Sequence, residues 1–252
     1  MKIVIIGTGH VATILGRKIL AAGHEILQVF GRNRLYAEAL AETLSTTYTT
    51  DKSHLDFSAD IYIIAVSDTA IAEVAGALPL DKKLVVHTAG SVSKEVLKPC
   101  SRNYGVLYPL QSLRREMTVL PEIPFLVDGN TEDDRALIAD FAGTLSNQVQ
   151  YAGDEQRLKL HVAAVIVSNF SNHLYTLAQQ FCMQEKVDFN MLLPLITAIA
   201  ERLYQFSPFE VQTGPAIRRD EATIQKHLEV LQQHESLKEL YIVFTKSIQS
   251  VH

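Results

Sequence analysis

The first half of the chain alternates short apolar runs with segments whose apolar residues recur at helical spacing. Residues 3–6 form a continuous apolar run, as expected for a strand that is buried on both faces. Residues 10–22 carry apolar side chains three and four positions apart, and Gly23 follows where a helix commonly ends. The chain therefore begins with a predicted strand, a short turn and a predicted helix.

The same alternation continues as far as residue 151. The sequence predicts further strands at 25–30, 61–66, 84–87, 105–108, 124–127 and 148–151, with helices at 35–44 and 132–145. Strands that alternate with helices favour a parallel sheet covered on both faces and joined by right-handed crossovers. We therefore predict an α/β domain with a doubly wound, mainly parallel Rossmann sheet.

The pattern becomes purely helical in the second half. Residues 154–187 contain neither Gly nor Pro and predict one long helix. A second helix is predicted from its N-cap Asp188 to residue 203, with Pro194 expected to end a turn or kink it. Asp220 is the predicted N-cap of a later helix.

This change of pattern places a domain boundary at Gly153. Residues 1–153 are predicted to form the dinucleotide-binding domain and residues 154–252 a smaller all-α domain. The apolar content of the long helix is buried either against a second subunit or under the terminal helices, and the sequence leaves both open. We predict a homodimer formed through the helical domain.

The turn after the first strand is typical of a pyrophosphate site. Gly7 permits the tight turn, Gly9 lets the backbone approach the ligand, and Ala12 allows the helix to pack close to the strand. The positive end of the helix would then face the anion. The predicted cofactor-binding residues of this turn are Gly7, Thr8, Gly9, His10 and Val11.

The end of the second strand bears on which dinucleotide binds. An NAD enzyme normally has an acidic residue there for the ribose 2′-OH. Here the strand is followed by Gly31, Arg32, Asn33 and Arg34, and arginine suits a phosphate. We therefore predict NADP(H) over NAD(H), bound by Arg32, Asn33 and Arg34; the alternative is a pair of solvated loop arginines.

Two later strand ends should line the same crevice, because ligands of doubly wound sheets bind at the carboxyl ends of the strands. Val66 and Ser67 follow one strand. The turn of residues 88–91 follows the next and is expected beside the nicotinamide, with Ala89 as a contact residue.

Composition excludes several function classes. The net charge is −5, from 23 basic and 28 acidic residues, which argues against nucleic acid as the main partner. The two cysteines, Cys100 and Cys182, lie far apart in no metal-ligand spacing. No apolar run reaches the length of a membrane span. We expect a soluble cytoplasmic protein with a small-molecule substrate and no metal.

The motifs together resemble known families. The glycine turn and the strand ends at residues 65–68 and 87–91 look like the 6-phosphogluconate dehydrogenase-like superfamily, which includes pyrroline-5-carboxylate reductase and the F420-dependent NADP oxidoreductases. Residues 108–112, 161–169 and 214–220 resemble Rossmann-like proteins with a DUF2520 C-terminal domain. That resemblance implies an NADP-binding domain, a helical domain, a frequent dimer and an oxidoreductase. The chain departs from the pattern at His10, where such turns often carry Asn or Met. It departs again at Tyr108, where a histidine is expected before Pro109.

His161 is the first catalytic candidate, because a histidine in an apolar helix can act as a general acid near neutral pH. Arg157 lies on the same helical face. Asn169 lies about 80° around a regular helix and about 12 Å further along it, so that the two side chains would hold different ends of a substrate. The alternative is that His161 and Asn169 are hydrogen-bonded core or interface residues.

Gln111 and Arg218 complete the candidate catalytic set. Pro109 fixes the backbone before Gln111, and Arg218 is suited to clamp a substrate carboxylate. The alternatives are an exposed Gln in a rigid turn and, for the neighbouring Asp220, a helix cap alone.

The sequence thus predicts an NADP(H)-dependent oxidoreductase that transfers a hydride to or from a small keto, imino, hydroxy or amino acid-like substrate. The alternative is an NADP(H)-binding sensor or regulatory protein without turnover. A third interpretation is a reaction that uses coenzyme F420, for which the N-terminal sequence pattern is the only support.

Overall fold

The computed structural model describes all residues, Met1–His252. It divides into two compact units, Met1–Ser168 and Asn169–His252, which we call the sheet unit and the helical unit. The sheet ends at Tyr151 and the next helix begins at Asp154. The predicted domain boundary at Gly153 stays a prediction.

The sheet unit contains one eight-stranded sheet in the order β3-β2-β1-β4-β5-β6-β7-β8. Only the β6–β7 pair is antiparallel. The strands are β1 Lys2–Ile6, β2 Glu25–Phe30, β3 Thr47–Thr49, β4 Ile61–Ile64, β5 Asp81–His87, β6 Ser101–Pro109, β7 Phe125–Gly129 and β8 Val149–Tyr151. The predicted mainly parallel, doubly wound sheet is confirmed.

Helices cover both faces of this sheet. They are α1 His10–Ala21, α2 Arg34–Thr43, α3 Ile71–Ala77, α4 Glu132–Leu145 and α5 Asp154–Ala164. Side chains of a strand point alternately to the two faces, so Ile3 and Ile5 pack in one core with α1, α2 and α4. Val4 and Ile6 pack in the other core with α3. The apolar run of β1 is therefore explained by burial on both sides.

Two short elements of this unit escaped the sequence prediction. Strand β3 is three residues long and rich in threonine, and it pairs with β2 at the edge of the sheet. Helix α3 has seven residues and buries only Ile71 and Ala75. Neither element is long enough for its apolar spacing to be distinguished from that of a loop.

The predicted helix at 154–187 is interrupted by a π-helical turn. Helix α5 is followed by π-helical residues Val165–Phe170 and then by α6, Ser171–Gln184. A π turn contains more residues than an α turn, so the regular angle assumed between His161 and Asn169 does not hold across it.

The helical unit also contains α7 Leu193–Arg202, α8 Glu221–Val230 and α9 Glu235–Val251. Asp188 caps a short 3-10 turn that precedes α7, and Pro194 lies in the first turn of α7, where its missing N–H is tolerated. Asp220 caps α8 by accepting a hydrogen bond from the Thr223 amide, as predicted. None of the helices has the length and apolar character needed to cross a membrane.

Candidate active site

A cavity of about 550 Å³ opens at the carboxyl ends of β1, β2 and β4. The strand order reverses between β1 and β4, and such switch points are where ligands of doubly wound sheets bind. Nine residues predicted to bind the cofactor line this cavity: Gly7, Thr8, Gly9, His10, Val11, Arg32, Asn33, Val66 and Ser67.

The two glycines of the turn are needed for different reasons. Gly7 has φ +126°, and a Cβ there would lie 2.2 Å from the carbonyl oxygen of Ala65, so only glycine fits the fold. Gly9 has φ −84°, and a Cβ there would meet no protein atom within 4 Å. Packing within the chain therefore gives no reason for glycine at position 9, whereas a ligand in the cavity would.

The N-terminus of α1 is open to an anion. Its N-cap, Gly9, has no side chain to bond the first amides, and its first turn carries no acidic residue. The free N–H groups and the positive end of the helix dipole are thus available at the cavity wall. This arrangement fits a pyrophosphate.

The arginines that follow β2 lie in different surroundings. Arg32 lines the cavity. Arg34 lies outside the cavity wall, where its Nε donates to the Tyr48 hydroxyl at 3.2 Å and lies 3.9 Å from a Glu38 carboxylate oxygen. The Asn33 side chain accepts from the Tyr36 amide and caps α2, which leaves its NH2 group free to donate.

A hydrogen-bonded tyrosine–histidine pair also lies in the sheet unit. The hydroxyl of Tyr108, in β6, is 2.8 Å from Nδ1 of His161, in α5, and the two rings meet edge to face at 5.8 Å between centroids. Burial raises the pKa of Tyr108, and the nearby Asp68 carboxylate raises it further. The phenol is therefore protonated at neutral pH and can donate to the imidazole.

The turn after β5 packs directly on this pair. A Cβ on Gly90 would lie 2.7 Å from Nδ1 of His161 and 2.8 Å from the Tyr108 ring. In the same turn, the Ser91 hydroxyl donates to an Asp68 carboxylate oxygen at 2.5 Å. The predicted turn at residues 88–91 thus lies beside His161, although Ala89 itself is not part of the cavity wall.

An ion pair with a buried arginine fixes α5 to the same turn. Arg157 is only 1 % exposed, and its Nη2 donates to the Val92 carbonyl at 2.5 Å and to Asp154 at 2.8 Å. Asp154 also accepts from the Ser93 hydroxyl. Burial opposes ionisation of Asp154, but the hydrogen bonds from Ser93 and Arg157 outweigh it and lower the pKa of that carboxyl. One turn further along α5, His161 is thereby held in place.

His87, at the end of β5, is a second histidine near the pair but is unsuited to proton transfer. Its side chain is fully buried, and its Nδ1 accepts from the Ala89 amide at 3.2 Å. Burial, with the Arg157 charge adding to it, lowers the pKa of His87 to about 4. This imidazole is therefore neutral at physiological pH.

The other predicted catalytic residues lie outside these contacts. Gln111 is exposed, and its side-chain oxygen accepts from the Ser112 amide. Asn169 and Arg218 are exposed residues of the helical unit. Their roles stay predictions.

Two family models match the chain. Residues 123–248 match the domain of unknown function DUF2520. Residues 2–90 match a family described as NADP oxidoreductase, coenzyme F420-dependent. A comparison with curated proteins gave no match.

Solved structures resemble the chain over nearly its full length. A putative NADP oxidoreductase from Bacteroides fragilis is 38% identical, with a TM-score of 0.91, over 99% of this chain and 98% of the other. A reductive aminase from Aspergillus terreus, in complex with NADPH and ethyl-5-oxohexanoate, is 16% identical with a TM-score of 0.72, over 99% and 92%. A 1-pyrroline-5-carboxylate reductase from Streptococcus pyogenes is 15% identical with a TM-score of 0.68, over 99% and 98%. The reductive aminase and the pyrroline-5-carboxylate reductase share the fold of this chain.

Proposed function

This chain belongs to the family of the domain of unknown function DUF2520. We propose that it is an NADP(H)-dependent oxidoreductase, which its similarity to the NADP oxidoreductase family model and to the Bacteroides fragilis structure supports. The reaction is hydride transfer to or from a small carbonyl or imine compound and its alcohol or amine counterpart. The observation that carries the proposal is the cavity at the glycine turn, where the free end of α1 and Arg32 share one wall.

The sheet unit supplies the residues that hold the cofactor. The amides at the start of α1 bind the pyrophosphate, and Gly9 gives it room. Arg32 and the free NH2 group of Asn33 bind the 2′-phosphate. When bound, NADPH supplies the hydride.

The protein's own contribution to the chemistry is a proton. Hydride addition to the carbon of C=O or C=N leaves an electron pair on the oxygen or nitrogen, which must take up a proton. His161 and Tyr108 share a hydrogen bond at 2.8 Å, and we assign the proton delivery to this pair. We propose that Arg218 binds a carboxylate of the substrate. Asn169 and Gln111 are the candidates for further polar contacts with the substrate.

The proton assignment predicts a loss of turnover with intact cofactor binding. In a panel of 2-oxo acids and cyclic imines assayed by NADPH oxidation, His161→Ala and Tyr108→Phe should each lower kcat by about 10² or more. Their affinity for NADPH should stay within about twofold of the wild type. His54→Ala, which alters an exposed histidine of the same unit, is the matched control.

Full turnover in His161→Ala would remove His161 from the mechanism. Binding of NADPH without oxidation of the cofactor by any member of the panel would favour the sensor alternative.

We further propose that the active protein is a homodimer formed through the helical unit. Only two large apolar side chains of this unit are buried, Ile224 and Leu231. Many others are at least half exposed, which is more than a monomer usually leaves in water. They include Met183, Met191, Leu195, Ile199, Tyr204, Phe206, Phe209 and Val243. A second copy of the chain would cover this surface.

Light scattering coupled to size exclusion tests the dimer. We expect a mass of twice 28.0 kDa at micromolar concentration. Ile199→Lys should shift the protein toward the monomer, because it places a charge in the apolar surface. Val119→Lys, at an apolar residue of the sheet unit that is even more exposed than Ile199, should leave the mass unchanged. A wild-type protein that is monomeric at this concentration would contradict the proposal.

A further inference from the structure

The connection between β6 and β7 lies against the glycine turn. Leu113 of this connection is 8% exposed and forms part of the cavity wall. Arg17, in α1, donates from its two terminal nitrogens to the carbonyls of Met117 at 2.5 Å and Thr118 at 3.2 Å. The segment is therefore fixed at two points, one in the cavity wall and one beside the second half of α1.

Arg115 lies between these two points and contacts His10. Its backbone amide donates to Nδ1 of His10 at 3.0 Å, and its Nε lies 3.4 Å from the same atom. Because Nδ1 accepts the amide proton, His10 is the tautomer that carries its hydrogen on Nε2. His10 is the first residue of α1 and lines the cavity. Arg115 is not itself part of the cavity wall, but its contact with His10 places its side chain beside the cavity and next to the N-terminus of α1.

The charge of Arg115 has no partner within the chain. The neighbouring Arg114 forms an ion pair with Glu116 at 3.4 Å, whereas Arg115 is exposed and within 4 Å of no carboxylate. The glycine turn itself, residues 7–11, carries no Lys or Arg. A helix end contributes about half a positive charge, but a pyrophosphate bridge carries two negative charges. The turn therefore lacks a cation, and Arg115 is placed to supply it.

We infer that Arg115 is a phosphate-binding residue that donates to the pyrophosphate of the dinucleotide. The β6–β7 connection thereby completes a binding site whose other side is the N-terminus of α1. This inference rests on the proposed cofactor function. It assigns Arg115 to the part that NADPH and NADH share, whereas Arg32 lies at the end of β2, where the 2′-phosphate is expected.

Calorimetric titration of NADPH and NADH tests the inference on the full-length protein. Arg115→Ala should weaken both cofactors by about tenfold and to the same extent, since a lost charge-assisted hydrogen bond has that effect. The loss of affinity with added salt should also be less steep than in the wild type. Arg115→Lys, which keeps the charge without the planar donor group, should lose less affinity than Arg115→Ala.

Arg114→Ala is the matched control, because it removes the same charge one residue away. It should change both affinities by less than about twofold. Thermal unfolding of each variant checks that the fold is unchanged.

Three outcomes would overturn the inference. One is an affinity of Arg115→Ala within twofold of the wild type for both cofactors, which leaves the proposed function standing. Another is a loss confined to NADPH, which would move the contact to the 2′-phosphate. The third is a wild-type protein that binds neither cofactor, which would overturn the proposed function as well.

Discussion

Gly9→Ala is expected to leave the fold intact and to weaken NADPH binding by about tenfold to hundredfold. A methyl group at this position meets no protein atom within 4 Å, and φ −84° suits any residue. The cost to stability is limited to a poorer N-cap, about 1 kcal/mol or less. In the complex, however, the methyl group would hold the pyrophosphate away from the amides of α1, with the loss of one or two charge-assisted hydrogen bonds.

Gly7→Ala is the matched comparison and should destabilise the fold itself. The added Cβ would overlap the carbonyl oxygen of Ala65 at 2.2 Å, and the backbone has φ +126°. Left-handed strain and the steric clash together should lower the free energy of unfolding by about 2–4 kcal/mol.

Urea unfolding and NADPH titration of both variants separate the two effects. Unchanged NADPH affinity in a folded Gly9→Ala protein would show that no ligand approaches that backbone. It would thereby contradict the assignment of the cavity.

Arg32→Ala is expected to weaken NADPH by about tenfold to hundredfold and to change NADH affinity by less than about twofold. Arg32 lines the cavity, and an arginine bound to the 2′-phosphate contributes only to the phosphorylated cofactor. The exposed wild-type side chain makes no ion pair that its removal would break, so stability should not change.

Arg34→Ala is the control for general electrostatic effects. Its guanidinium is bonded to Tyr48 outside the cavity wall, so we expect less than about a twofold change in NADPH affinity. Equal losses for NADPH and NADH in Arg32→Ala would contradict the 2′-phosphate assignment. A larger loss in Arg34→Ala than in Arg32→Ala would transfer that assignment to Arg34.

Local patterns were sufficient to predict most of the sheet unit. The bounds of β2 and α4 agree with the sequence prediction to the residue, because each has a clear apolar period and a marked end. The glycine turn is likewise a local motif between a strand and a helix. The π-helical turn at Val165–Phe170 had no comparable signal, since its residues continue an ordinary helical composition.

The contacts that complete the candidate site join residues far apart in the sequence. Tyr108 and His161 are 53 positions apart, and His10 and Arg115 are 105 apart, so no spacing rule relates them. The departure from the family pattern at Tyr108 was visible in the sequence. That its hydroxyl would meet His161 depends on how β6 and α5 pack, which only the structure shows.

The central claim is that the cavity binds the phosphorylated dinucleotide. Titration of the wild-type protein with NADPH and NADH under identical salt and pH tests it most directly. We predict saturable binding of one NADPH per chain, at least about tenfold tighter than NADH. Equal affinities, tighter binding of NADH, or no binding of either cofactor would contradict the claim.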